Sequence, residues 1–335
     1  MKKVLITGGA GYIGTILTHD LIKRGYKPDI LDELWYGNYI PEDLNVKKAN
    51  IRSLRQEDID PYDVVIFLGG VSNDPMAEYS PATNFVENMA NPAYLAHITR
   101  KSASDLKSPK RFIYASSCSV YGYTSNELMS ELDLVPPPHF PYGISKLGGE
   151  RAVMSLEDDY FRPISLRKGT VGGWSPRMRF DLVVNVMTKA ALLNKLITVH
   201  NPSLWRPLVD IRDVSTAYIR SIESNIDITG VYNISYDNYT IGRLADEIKE
   251  ELEVFGKEVK IDTLNKEDLR NYKVSTDKAK KELDFTAQFA PKDSVKEILS
   301  NLVDGYNIKE PNGELFPITD HRYVNIEIFK EIFSK

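Results

Sequence analysis

The stretch Lys2 to Gly14, KKVLITGGAGYIG, leaves this chain few ways to fold. Val4-Leu5-Ile6 is a short apolar run with the length and β-branching of a buried strand. Thr7 to Gly11 breaks it, and Tyr12 to Lys23 reads as a helix. Gly8, Gly11 and Gly14 set the spacing G-x-x-G-x-x-G. So tight a strand-to-helix turn needs residues without Cβ, so that the backbone can approach an anion. The helix N-terminus then offers that anion unpaired N–H groups and a positive dipole end. A glycine-rich turn alone says little. One that follows a strand and opens a helix predicts a bound dinucleotide, with Gly8, Gly11, Tyr12, Ile13 and Gly14 around its pyrophosphate.

The chain repeats this alternation. Lys27 to Asp32 reads as a second strand ending in a carboxylate 18 residues after Gly14, placed to accept from ribose hydroxyls and to repel a 2′-phosphate. NAD is therefore expected over NADP. Ala49-Asn50-Ile51-Arg52 should close a third strand, bringing Asn50 and Ile51 near the adenine. Asp63 to Gly70 is a continuous apolar run of the kind buried on both faces of a parallel sheet; Leu68, Gly69 and Gly70 at its end let a cofactor pass close by. A polar loop, Ser72-Asn73-Asp74-Pro75, and a helix from Pro81 to Ser104 follow, then a strand, Arg111 to Ser117, ending in Ser116 and Ser117. Open α/β sheets bind ligands at this carboxyl edge. The expected fold is α/β: a Rossmann-type doubly wound parallel sheet over residues 1–165, with a smaller α/β substrate domain over 166–335 partly interleaved with it.

Composition narrows the partners. At 335 residues, a net charge of −5 and a pI of 5.7, the chain suits neither nucleic acid nor an anionic membrane surface, so an anionic ligand must be held by local cations. One cysteine, Cys118, excludes an intrachain disulfide and fits a reducing compartment. Met1-Lys2-Lys3 runs straight into the first strand, so no secretory segment is expected, and no apolar run approaches the roughly 20 residues that span a bilayer. The cytoplasm is the expected location. No metal-ligand cluster appears, and the histidines are scattered, with His139 alone near the expected site.

A rigid loop rich in proline and acid, Ser130 to Pro141, leads into a helix from Tyr142 to about Asp158. Tyr142 and Lys146 are spaced i, i+4 and leave the same helix face. Alone, such a pair is more often a solvated helix surface. After a glycine fingerprint and a serine-ended strand it reads as a general acid/base, the ammonium favouring phenolate.

These residues resemble the extended, nucleotide-sugar-modifying branch of the short-chain dehydrogenase/reductase superfamily. The resemblance rests on TGGAGYIG with Gly8, Gly11 and Gly14, on Ser-Ser-x-x-Val-Tyr-Gly at Ser116 to Gly122, and on Tyr142-x-x-x-Lys146. Weaker matches are Asn88, the run Ser165 to Gly173 with Thr170 in place of the family asparagine, and Arg206 to Val214 with Asp210 in place of histidine. The resemblance implies NAD as cofactor, Tyr142 as acid/base at a sugar hydroxyl, usually on C4, Lys146 on the nicotinamide ribose lowering the Tyr142 pKa, and Ser117 on the hydroxyl being oxidised. Asn88 and Ser116 join the cofactor set by the same match.

The family's 4,6-dehydratases place Asp-Glu directly after this serine, because loss of water needs an acid and a base. Here those positions are Cys118 and Ser119, so dehydration is disfavoured and Cys118 reads as a small buried residue. Epimerisation at C4 through a 4-keto intermediate is the leading expectation. A C4 dehydrogenase or ketoreductase, on an unusual sugar such as a heptose, is the alternative, and a non-catalytic NAD or sugar-nucleotide sensor the rival from another class. Trp174 to Asn185 should line the sugar-nucleotide pocket. Ser72, Ser117, Thr170, Asn185, Arg206 and Arg270 are the candidate substrate residues, the two arginines for the substrate diphosphate. The family often forms homodimers through four helices, here Pro81–Ser104 and Tyr142–Asp158. The tail after Tyr306 runs beyond the usual family end, and Ile326, Phe329, Ile332 and Phe333 could cover this fold or a second subunit.

Overall fold

The computed structural model describes residues 1–131, 133, 140–264 and 270–334, so His139 and most of the expected proline-rich loop lie outside the described residues. Seven strands form the main sheet: β1 Val4–Thr7, β2 Asp29–Asp32, β3 Val46–Lys48, β4 Val64–Phe67, β5 Lys110–Ser117, β6 Phe161–Lys168 and β7 Gly230–Ile234. They lie in the order β7-β6-β5-β4-β1-β2-β3 and every pairing is parallel. Strand order reverses between β1 and β4, the crevice where doubly wound sheets bind nucleotides.

Alternation along each strand decides which helices cover which face. Val4, Ile6, Val64, Ile66, Ile113 and Ile164 pack with Leu17 and Leu21 of α1 (Tyr12–Lys23). Leu5, Val65, Phe67 and Phe112 meet Leu95 and Ile98 of α2 (Asn91–Leu106) and Val153 of α3 (Pro141–Met154). Both faces are therefore apolar, and the strands read as unbroken hydrophobic runs.

Three elements differ from the sequence expectation. The third strand is Val46–Lys48, and Ile51–Ser53 is instead a 3-10 turn capped by Asn50, whose side chain accepts from Arg52 N at 2.9 Å. The loop at Ser72–Pro75 opens a short helix, Asp74–Tyr79, because the Asn73 side chain caps it by accepting from Met76 N at 3.0 Å. The helix expected over Pro81–Ser104 is interrupted by a π-helical turn at Val86–Ala90. Pro92 has no N–H for the Asn88 carbonyl, and the Tyr114 hydroxyl takes its place at 3.0 Å. Gly149 of α3 lies against this turn: a Cβ there would meet Asn88 O at 2.1 Å.

A division at residue 165 would cut β6, and β7 returns to the main sheet from the second half of the chain. The C-terminal half adds a three-stranded sheet of Thr170–Gly172, Trp205–Asp210 and Asp237–Thr240, with helices at Val183–Asn194 and Ile211–Glu223 (α4 and α5). The tail folds back on the same chain. Helix α6, Asn325–Phe333, buries Phe329 among Val71, Met76 and Ala77, with Trp35, Tyr36 and Tyr142 around them. Among the described residues no helix is long and apolar enough to cross a membrane.

Candidate active site

A cavity of about 630 Å³ opens at the carboxyl edge of the sheet. On one side it is walled by Gly8, Gly11, Tyr12, Ile13, Gly14, Asp32, Asn50, Ile51, Leu68, Gly69 and Gly70. The glycines are needed for different reasons. Gly8 has φ +74°, and a Cβ there would meet Gly69 N at 2.3 Å; a Cβ on Gly14 would meet Gly9 O at 2.4 Å. Gly11 is open: its Cβ would touch only Gly8 O, at 3.4 Å. Helix α1 starts at this open residue with no side-chain cap, so its first-turn N–H groups have no partner within the helix. Asp32 accepts from Ala10 N at 3.0 Å and Leu34 N at 2.7 Å, and burial raises its carboxyl above the usual range against those two bonds. An open glycine at an uncapped helix start, beside a strand-end carboxylate, fits a dinucleotide.

Ser116, Ser117, Tyr142 and Lys146 line the floor of the same cavity. Lys146 Nζ donates to Ala115 O at 3.2 Å and lies 5.9 Å from the centroid of the Tyr142 ring. Burial pushes this amine down to about 7. Burial also pushes the Tyr142 phenol well above its ordinary range, with the nearby Ser117 hydroxyl pulling the other way. Burial thus dominates the Tyr142 phenol, against the lowering expected from Lys146. Ser117 Oγ accepts from Ser119 N and donates to Ser119 Oγ, both at 3.1 Å. Cys118 is buried and donates to Arg167 O at 3.2 Å. Its thiol is pushed far up by burial, so no thiolate forms there.

Ser72, Thr170, Arg206 and Arg270 line the remaining wall. Arg270 pairs with Asp74 at 2.9 Å, and Arg206, over the Tyr272 ring at 5.4 Å, donates to the Arg270 and Trp205 carbonyls. The two arginines therefore form one cluster.

Two candidates lie off the wall. Asn88 is buried in the π turn, where its amide donates to Val71 O at 3.0 Å and Asn84 Oδ1 at 2.8 Å; it tethers the Gly70–Ser72 loop to the helices. Asn185 is buried behind Tyr12, accepting from Gly173 N at 2.9 Å and donating to Arg179 O at 2.8 Å, so it holds the segment expected to contact substrate. Asp210, in the family's histidine position, is a helix cap: it accepts from Arg212 N, Nε and Nη2 and from Ser294 Oγ.

The cavity also holds groups beyond the candidate site residues. Lys168 lies beside Ser117 in the sheet, donates to Ser116 O at 2.8 Å and is held well below its ordinary pKa by burial and by Lys146. Arg177, Arg179 and Asp181 come from the segment expected to line the pocket. Asn325 and Ile326 come from the tail, Asn325 Nδ2 donating to Ser72 Oγ at 2.9 Å.

Comparison with known proteins places residues 4–235 under the description NAD dependent epimerase/dehydratase family. UDP-glucose 4-epimerase 3 of Oryza sativa subsp. japonica is 24% identical over 338 residues, 88% of each chain. The dTDP-D-glucose 4,6-dehydratase of Dictyostelium discoideum is 28% identical over 263 residues, 71% of this chain and 59% of that one, less than two thirds of its length. Among solved structures, UDP-N-acetylglucosamine 4-epimerase from Methanobrevibacter ruminantium M1, in complex with UDP-N-acetylmuramic acid, shares the fold with a TM-score of 0.78 at 23% identity, over 90% of this chain and 99% of that one.

Proposed function

The chain belongs to the NAD dependent epimerase/dehydratase family, and from that premise we propose that it is a nucleotide-sugar 4-epimerase. One observation carries the choice within the family. Ser117, Tyr142 and Lys146 share a cavity with the dinucleotide cradle, while the two positions after Ser117 are a thiol buried against Arg167 O and a hydroxyl bonded to Ser117. The set can remove a proton from a sugar hydroxyl, but it has no acid and base beside Ser117 to expel water.

In this reading Gly8 to Gly14 and Asp32 hold NAD, which supplies a hydride acceptor at the sugar carbon and the positive ring that favours phenolate. Ser117 orients the C4 hydroxyl, and Tyr142 takes its proton and later returns it. Lys146 takes the nicotinamide ribose. Arg206 and Arg270 bind the substrate diphosphate, with Ser72 and Thr170 toward the sugar. The hydride taken from C4 would return to the opposite face of the same carbon, and Tyr142 would return the proton to the C4 oxygen, so no net oxidation occurs.

The test is incubation with UDP-, GDP-, CDP- and dTDP-sugars in deuterated water. The expected product is a C4 epimer without solvent deuterium and without accumulated NADH. A stoichiometric keto sugar with NADH would make the protein a dehydrogenase instead. Tyr142→Phe should abolish turnover. We also infer a cytoplasmic homodimer: Phe85, Val86, Met89 and Ile144 are exposed on the Pro81–Leu106 and α3 helices, apolar groups that a four-helix contact would cover. A monomer by light scattering would refute it.

A further inference from the structure

The segment between Trp174 and Asp181 carries a guanidinium that the reaction above leaves unused. Arg177 lines the cavity yet is only 2% exposed. Among the described residues no carboxylate pairs with it. Its Nη1 donates to Met178 O at 3.2 Å, its Cζ lies 4.1 Å from the centroid of the Tyr36 ring, and its Nη2 finds no partner among the described residues. Asp181, four residues on, is already engaged by Arg179 through two bonds of 2.9 Å. A buried cation without a counter-ion is costly, and here burial pushes the guanidinium down to about 10. An anion that enters the cavity would remove that cost. A planar fork of N–H donors suits phosphate oxygens best.

Two tethers say which phosphate. Ser175 Oγ donates to Tyr12 O at 2.9 Å, and Tyr12 Oη donates to Gly173 O at 2.6 Å, so the segment is pinned to the first residue of α1. Tyr36, the aromatic platform under Arg177, follows Asp32 at the end of β2. Both anchors belong to the dinucleotide wall. The other phosphate-suited cations, Arg206 and Arg270, form a cluster with Asp74 and Tyr272.

We propose that Arg177 supplies the cation for the dinucleotide's diphosphate, completing the glycine cradle and holding the cofactor as a resident group rather than an exchanging co-substrate. This rests on the family's use of NAD and deepens the epimerase reading, since a reaction without net oxidation has no need to release its cofactor.

The test compares the whole wild-type chain with Arg177→Met, Arg177→Lys and Tyr142→Phe. The methionine keeps an apolar stem against Tyr36, and the lysine keeps the charge without the fork. NAD released on denaturation is counted per chain, exchange of labelled NAD is timed, and melting of cofactor-stripped protein is recorded. Wild type and Tyr142→Phe should retain NAD with the same slow exchange. Arg177→Met should exchange at least 10-fold faster, with Arg177→Lys between, while stripped Arg177→Met melts no lower than stripped wild type. If Arg177→Met keeps the wild-type exchange rate, and UDP binding falls 10-fold instead, the guanidinium serves the substrate diphosphate and the proposal is overturned. If even wild type takes up no NAD, the cofactor reading itself fails.

Discussion

Replacing Lys146 with methionine should stabilise the cofactor-free protein, and by an amount that depends on pH in a defined direction. The amine is 5% exposed, and one bond, to Ala115 O at 3.2 Å, is its described hydrogen bond. Burial alone moves it from 10.5 to about 7. Between those values the unfolded chain binds a proton that the folded chain has shed, so stability rises with pH across this window; below pH 7 both states are protonated and the whole penalty is present. A shift of about 3.5 units at about 1.36 kcal/mol each is roughly 5 kcal/mol, less about 1 kcal/mol for the lost hydrogen bond. The expected gain is therefore about 4 kcal/mol at pH 6, falling to zero at about pH 10, where the remaining charge penalty only offsets the lost hydrogen bond. Lys168 contributes in the same direction, since Lys146 also disfavours its charge. A chain of 335 residues has an unfolding entropy of about 0.7 kcal/mol/K, so this corresponds to about 5–6 °C in Tm. Thermal melts of stripped wild type and Lys146→Met at pH 6, 7.5 and 9 measure it. A Tm difference that does not change with pH, or a variant less stable at pH 6, would refute the argument that Lys146 is held without charge compensation.

Three further perturbations separate structure from chemistry. Gly14→Ala forces a Cβ to 2.4 Å from Gly9 O, whereas Gly11→Ala meets only Gly8 O at 3.4 Å; NAD titration should fail for both, but only Gly14→Ala should lose several degrees of Tm. Arg167→Met strands Glu150, which is 1% exposed and bonded to Arg167 at 2.5 Å, and should cost about 3–5 kcal/mol in denaturant melts. Adding Glu150→Leu should restore most of that loss. Phe329→Ala removes a wholly buried ring whose centroid lies 4.5 Å from that of Phe333, and a loss of about 3–5 kcal/mol should detach α6; trypsin cleavage in the tail and a raised substrate KM are the expected readouts.

Much of the dinucleotide wall is legible in the sequence because its determinants are local. A β-branched run, three spaced glycines and a strand-end Asp32 act through backbone sterics within one strand–turn–helix, and α1 has the bounds its pattern predicts. Tyr142 and Lys146 are legible for the same reason, since one helix sets their spacing. Local pattern misleads where a distant partner decides. The Pro81–Ser104 helix is continuous but takes a π turn at Val86–Ala90, where Tyr114, on β5, takes the carbonyl that Pro92 leaves open. Asn185 leaves the cavity because Tyr12 and Gly173 claim its amide.

What the chain by itself determined is the fold class, the cradle and the presence of a serine, a tyrosine and a lysine able to meet. These follow from period, spacing and residues that lack a Cβ. Only the tertiary structure decided their electrostatics and surroundings: that Lys146 and Lys168 sit on adjacent carbonyls of β5, that the tail brings Asn325 to Ser72, and that Arg177 is buried over Tyr36 with no carboxylate paired to it among the described residues. Burial and charge compensation depend on what every other element places nearby, and no window of sequence contains that.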